Sequence, residues 1–274
     1  MWHEFKIKLH EDMKEPVMAS LYELGCQGIT EGDGELSAYF QDDVDPATVT
    51  GSLSVFSGVE SSYSVVPEQD WYASWKENFK PFHAAGIMIC PPWEDCNAGL
   101  GEKKMILDPG QAFGTGDHVT TSTVLGMLKS WAETLPNLPV KRFLDLGTGT
   151  GVLSIAAALY GVADITAVDV EEDAIRTAAR NILLNNMHER INLIHGSIKE
   201  AGRGYDFIAA NIFQEALLDM IPDIAAALNM DGKVAVSGLL SGQEEQVIKA
   251  AKASGLDIVK VVSCSGWVSV LFRN

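Results

Sequence analysis

Phe143-Leu144-Asp145-Leu146-Gly147-Thr148-Gly149-Thr150-Gly151 is the stretch that decides the fold of this chain. A largely apolar strand runs into three alternate glycines, and Val152 to Tyr160 follows with helical composition. Glycines between a strand and a helix let the backbone turn sharply and bring it close to a ligand at the helix N-terminus. Several nucleotide-binding folds use such a turn, so its details carry the argument. The dinucleotide fingerprint Gly-x-Gly-x-x-Gly fails in both registers, because the sixth position is Val152 counted from Gly147 and Ser154 counted from Gly149. Asp145 stands two residues before the first glycine, where a carboxylate suits a ligand with a cationic amino-acid end better than one with a pyrophosphate.

Outward from this turn, apolar strands recur and helices fill the gaps. Strands are expected at Arg142 to Leu146, Ile165 to Val170, Ile191 to His195, Phe207 to Asn211, Lys233 to Ser237, Asp257 to Ser263 and Trp267 to Phe272. Helices are expected at Val152 to Tyr160, Glu171 to Asn185, Gln214 to Leu228 and Gly242 to Ala253. The alternation predicts a mainly parallel, doubly wound sheet. Only Cys264-Ser265-Gly266 separates the last two strands, so they must form an antiparallel hairpin, as in the common methyltransferase fold. Ligands of such sheets gather at the C-terminal strand ends. Asp169 ends the strand after the glycine turn, 22 residues beyond Gly147, where a carboxylate can accept from both hydroxyls of a ribose. Asn211 ends the fourth strand and offers an amide oxygen that can hold an amine and orient its lone pair. Helix capping is the alternative role for both residues.

Upstream, residues 1–66 read as β-α-β-β-α-β, a ferredoxin-like module. Trp2 to Leu9 alternates as a strand, Gly25 suits a helix cap, Gly32-Asp33-Gly34 marks a turn, and Asp45-Pro46 opens the second helix. Residues 67–84 read as a linker helix that puts Trp71, Trp75 and Phe79 on one face. The catalytic domain is then expected over residues 85–274. Leu107 to Ser122 forms a long loop with glycines and hydroxyls but no Gly-Lys-Ser/Thr, so it is not a phosphate loop. Its chemistry fits a loop folded over a ligand, with His118 stabilising the loop and a catalytic histidine as the alternative.

Composition narrows the partner. The chain carries a formal net charge of −17, and twelve Asp/Glu against three Lys put −9 of it in residues 1–66. An enzyme that holds a phosphate backbone usually shows a basic face. This balance favours a basic protein steered by complementary fields, and no direct nucleic-acid binding. Cys26, Cys90, Cys96 and Cys264 form no Cys-x-x-Cys pair, so neither a metal site nor a disulfide is expected; four reduced thiols in a cytoplasmic protein are. No apolar run is long enough to span a membrane, and the alternating N-terminus does not read as a signal peptide.

The run Asp108-Pro109-Gly110-Gln111-Ala112-Phe113-Gly114-Thr115-Gly116-Asp117-His118-Val119-Thr120-Thr121, with the glycine turn and Asn211-Ile212 behind it, resembles the bacterial ribosomal protein L11 methyltransferases. Asp70-Trp71 with Trp75-Lys76 and the small N-terminal module match that family too, so the resemblance covers essentially the whole chain. It implies a Rossmann-like class I methyltransferase domain behind an α+β ferredoxin-like domain that recognises the ribosomal protein. It implies S-adenosylmethionine as cofactor, which also meets the requirement read from Asp145, and ribosomal protein L11 as partner. The methyl acceptors would be lysine ε-amines and the N-terminal α-amine, and the protein would be a monomer. Carried over by position, Thr121, Gly147, Asp169 and Asn211 contact the cofactor, and Phe113, Gly114, Thr115 and Gly116 lie over it. Asp145 and Gly149 join the cofactor set from the turn itself, and Asn211 is the catalytic candidate. The chain departs from the family pattern at Asp117, Val119, Thr148, Thr150 and Phe213; none of these removes a polar group that the cofactor needs.

Methyl transfer to an amine needs its neutral form. A free lysine has a pKa of about 10.4, and desolvation in a closed site lowers it. No general base is therefore named. Three other readings stay open. One is a methyltransferase of another basic protein or a small amine, of which the release-factor type carries Asn-Pro-Pro-Tyr where this chain has Asn211-Ile212-Phe213-Gln214. A non-catalytic binder of a ribosomal component and a nicotinamide dehydrogenase are the others.

Overall fold

Residues that face inward at every second position of Trp2–Lys8 (β1) set the N-terminal sheet. The computed structural model describes residues 2–10, 13–26, 28–32, 35–41, 44–56, 58–66, 79–110, 118–134 and 141–274. It divides into two compact units, Met1–Ser74 and Trp75–Asn274.

In the first unit, β1 is followed by Lys14–Glu23 (α1), Gly28–Gly32 (β2), Glu35–Gln41 (β3), Pro46–Leu53 (α2) and Glu60–Val66 (β4). The sheet order is β2-β3-β1-β4, antiparallel throughout. This is the ferredoxin-like arrangement expected from the sequence. Phe5 and Ile7 pair across the ladder with Ala38 and Leu36, and all four are buried under Val17 and Leu21 of α1 and Val49 and Leu53 of α2. Asp45 opens α2 by accepting from Ala47 N–H at 3.0 Å, with Pro46 in the first turn. Gly25, at φ +90°, ends α1, and Cys26 N–H then reaches back to Leu21 C=O at 3.1 Å. Residues 33 and 34 of the expected turn lie outside the described residues.

The second unit opens with a feature absent from the sequence reading. Phe82–Ala84 (β5), Ile87–Cys90 (β6) and Lys103–Ile106 (β7) form a three-stranded sheet. The expected linker helix over 67–84 is therefore wrong at its C-terminal end, where residues 82–84 are a strand; residues 67–78 lie outside the described residues. Ala85 and Gly86, both at positive φ, turn β5 into β6. That is a two-residue hairpin loop with an alanine where glycine or asparagine would have signalled it. The expectation of four reduced thiols is also corrected. Cys90, at the end of β6, is bonded to Cys96 across a turn that brings their Cα atoms to 6.2 Å, while Cys26 and Cys264 are free. Their six-residue spacing carries no motif, and only the turn after β6 makes the pairing possible.

Val119–Ala132 (α3) leads into the main sheet. Arg142–Leu146 (β8), Val152–Tyr160 (α4), Asp164–Asp169 (β9), Glu172–Leu184 (α5), Ile191–His195 (β10), Ile198–Ala201 (α6) and Tyr205–Asn211 (β11) follow. Gln214–Ala227 (α7), Leu228–Leu240 (β12), Glu244–Ala253 (α8), Asp257–Cys264 (β13) and Trp267–Arg273 (β14) complete the chain. The strand order is β10-β9-β8-β11-β12-β14-β13. The first five strands run parallel, and β14 inserts antiparallel between β12 and β13. Phe143, Ile165, Phe207 and Ala209 face α3, α4 and α5, whereas Leu144, Val168, Ile208 and Val236 face α6, α7 and α8. Burial on both faces is why these strands read as continuous apolar runs.

Candidate cofactor and amine site

Strand periodicity places the candidate residues. Asp145 of β8 lies opposite Ala167 of β9 on one side and Ala209 of β11 on the other. Asp169 and Asn211 are each two residues further along their strands, so all three project from the same sheet face at its C-terminal end. The sequence reading put them together by analogy with parallel sheets; the register supplies the physical reason.

The glycine turn needs its glycines for backbone shape and for room. Gly147, Gly149 and Gly151 sit at φ +73°, +54° and +82°. A Cβ on Gly147 would come within 2.5 Å of Ile212 Cγ2, so the turn and the end of β11 could not approach as they do with any larger residue. Val168 C=O accepts from Gly147 N–H and Thr148 N–H at 3.0 and 2.9 Å, tying the turn to β9.

Asp145 is fully buried and builds this turn. Its Oδ2 accepts from Thr148 Oγ1 at 2.8 Å, Ser154 Oγ at 2.7 Å and Ser154 N–H at 3.0 Å. Gly151, the residue that caps α4, has no side chain to serve the first turn, and Asp145 supplies that function from the neighbouring strand. Its Oδ1 is buried and has no partner. Burial pushes the carboxyl up to about 6, with Asp169 adding to the rise and the bonds from Ser154 and Thr148 opposing it. Two carboxylates on adjacent strands at one end of the sheet, one with an orphaned oxygen, suit a cationic ligand and oppose a pyrophosphate.

Asp169 ties the glycine turn to the entrance of α5. Its Oδ2 accepts from Gly149 N–H at 2.9 Å and its Oδ1 from Glu171 N–H at 3.0 Å at the entrance to α5. Each oxygen retains a lone pair for a ligand hydroxyl. Val170, next in the chain, is 64% exposed, an apolar side chain at the rim beside two carboxylates. The sequence reading passed over it, although an apolar residue directly after a strand-end carboxylate was the available signal.

Asn211 donates from Nδ2 to Thr121 Oγ1 at 3.1 Å, and its Oδ1 is buried without a partner. The capping alternative fails here: α7 is entered through Phe213 with no side-chain cap. Thr121 is buried in the first turn of α3, so two residues that the family resemblance names prove to be one hydrogen-bonded pair. The bond commits the amide nitrogen to Thr121 and leaves the oxygen without a partner. His118 caps α3, with Nδ1 at 2.8 Å from Thr120 Oγ1, and its ring meets Trp267 edge-on at 5.0 Å. Phe113, Gly114, Thr115 and Gly116 lie outside the described residues.

A family model described as ribosomal protein L11 methyltransferase (PrmA) matches residues 30–274. The chain belongs to that family. The ribosomal protein L11 methyltransferase of Staphylococcus saprophyticus is 37% identical over 222 residues, covering 80% of this chain and 69% of the relative. That of Desulfitobacterium hafniense is 30% identical over 310 residues, covering 99% and 97%. Among solved structures, the ribosomal protein L11 methylase of Lactobacillus delbrueckii subsp. bulgaricus matches with a TM-score of 0.63 at 31% identity, covering 71% of this chain and 98% of that one. Membership of the PrmA family sets aside the dehydrogenase and release-factor-type readings, and it agrees with the sheet order and the failed dinucleotide fingerprint.

Proposed function

We propose that this chain transfers methyl groups from S-adenosylmethionine to amines of ribosomal protein L11, the lysine ε-amines and the N-terminal α-amine. The observation that carries the reading is the buried, unpartnered Oδ1 of Asn211, oriented by Thr121 and set on the same sheet face as Asp145 and Asp169. The residues fit the cofactor. The orphaned Asp145 Oδ1 matches a cationic amino-acid end, Asp169 matches a ribose, and the exposed Val170 offers an apolar surface to a flat base. Gly147 and Gly149 let the backbone come close, Thr121 closes the set from α3, and Phe113 to Gly116 are assigned to its cover by the family resemblance alone. When bound, S-adenosylmethionine supplies an electrophilic methyl group on a sulfonium.

The chain's own residues then act on the amine. Asn211 Oδ1 accepts an N–H of the neutral amine, which turns the nitrogen lone pair away from the amide and toward the methyl group. Holding nucleophile and carbon on one line contributes much of the acceleration in such displacements. The amine loses its proton on leaving water, because desolvation disfavours an ammonium. The N-terminal module is assigned to recognition of the basic substrate, acting in the cytoplasm, as a monomer and without direct contact to nucleic acid.

The test is S-adenosylhomocysteine release from S-adenosylmethionine, with and without purified L11. Release that depends on L11 is expected. Cofactor binding without release would contradict the substrate, and absence of cofactor binding would contradict the whole reading.

A further inference from the structure

Each of the three residues between Gly147 and Gly151 is held by one buried polar side chain. Thr148 Oγ1 donates to Asp145, Gly149 N–H donates to Asp169, and Thr150 C=O accepts from Asn181 Nδ2 at 2.9 Å. The first two holders are the carboxylates of the site. The third is an asparagine on the covered face of α5, fully buried, with no place in the reading so far.

Asn181 does more than reach the turn. Its Oδ1 accepts from Asp108 N–H at 2.8 Å, and its Nδ2 also donates to Asp108 C=O at 2.9 Å. One helical turn on, Asn185 treats Ile106 in the same way: Oδ1 accepts from Ile106 N–H at 2.9 Å and Nδ2 donates to Ile106 C=O at 2.6 Å. The match is geometric. Four residues of helix advance about 6 Å, and two residues of strand advance about 6.6 Å. Residues 106 and 108 present their backbone groups to the same edge, so two asparagine amides substitute for a neighbouring strand. The two amides differ in one respect. Asn185's remaining bond goes to Asn181 C=O inside its own helix, whereas Asn181's goes to the glycine turn.

We infer that Asn181 is a positioning residue of the cofactor site, which fixes Thr150, and with it the turn, against Asp108, two residues beyond β7. Close packing supports the same placement: a Cβ on Gly151 would meet Ala178 Cβ of α5 at 3.4 Å, and one on Gly110 would meet Thr177 Oγ1 at 2.9 Å. The inference rests on the reading that this turn holds S-adenosylmethionine.

Asn185 provides the control, because its loss removes the same pair of strand bonds without touching the turn. S-adenosylmethionine affinity by calorimetry and the thermal midpoint are measured for the unsubstituted protein, Asn181→Ala and Asn185→Ala. Both substitutions lower the midpoint. The dissociation constant rises about tenfold or more in Asn181→Ala and less than about twofold in Asn185→Ala, the difference expected from one lost anchor at the ligand. If Asn181→Ala does not fold, Asn181→Ser and Asn185→Ser give the same comparison, since serine is too short to reach Thr150 C=O. Equal weakening in the two variants, or none in either, overturns the inference. Failure of the unsubstituted protein to bind would instead overturn the cofactor reading.

Discussion

The two sheets of this chain treat polar side chains in opposite ways. Among the described residues of the four-stranded sheet and its helices the buried core is apolar, and Glu4, Lys6 and Lys8 alternate outward along β1. Residues 1–66 carry −9 of the net −17, yet among the described residues that charge closes no buried network. In the seven-stranded sheet Asp145, Thr148, Thr150, Ser154, Asp169 and Asn181 are buried together at one end. Burying so many polar groups is costly unless each is hydrogen-bonded. These six are bonded except at Asp145 Oδ1, and Asn211 Oδ1 at the end of β11 is the other buried oxygen without a partner among the described residues. Charge in water steers a partner; polarity in the interior shapes a site.

Substitutions at the buried end break this contrast most strongly. Asn211→Ala is expected to lower kcat by about 10²–10³, the usual cost of removing one preorganised polar contact to a reacting group. Cofactor affinity should fall much less than kcat, by about tenfold or less, through the lost bond to Thr121 of the cofactor set. Asp169→Ala is expected to weaken S-adenosylmethionine binding by about 10–100-fold, since it removes both the ligand acceptor and the hold on Gly149 N–H. Calorimetry reads the second effect directly.

A pH series probes Asp145, held up to about 6 by burial. A cationic ligand favours the carboxylate, so below that pH a proton must leave before binding. Affinity therefore falls as the pH falls, by about tenfold between pH 7 and pH 5, and Asp145→Asn should flatten the profile. The N-terminal unit yields the smallest effect on the site. Phe5→Ala removes a buried ring that meets Phe40 edge-on at 5.6 Å and should cost that unit about 3 kcal/mol. Cofactor affinity should not change. A loss of cofactor binding in Phe5→Ala would show that the two regions are not independent.

Much of the catalytic fold was legible because its constraints are local. Strand-turn-helix at residues 143–160 needs glycines at fixed places, and a hairpin with Ser265-Gly266 at its tip admits one pairing. What stayed hidden depends on partners far apart in the chain. Thr121 and Asn211 were both found, but their bond spans 90 positions. Asn181 sits mid-helix with nothing in its neighbours to mark it, and its partners are backbone N–H and C=O groups, which nearly every residue has. The β5-β6 hairpin escaped because Ala85 takes a conformation that its composition does not advertise, and the Cys90–Cys96 bond because a turn, not a motif, brings the thiols together.

The most direct measurement is the intact mass of ribosomal protein L11 after incubation with S-adenosylmethionine and this protein, beside the same reaction with Asn211→Ala. The account predicts stepwise gains of whole methyl groups, mapping by fragmentation to lysine side chains and the N-terminus, and none with the substituted protein over the same time. Unmodified L11 in the presence of cofactor-bound, unsubstituted protein would contradict it, as would equal modification by Asn211→Ala.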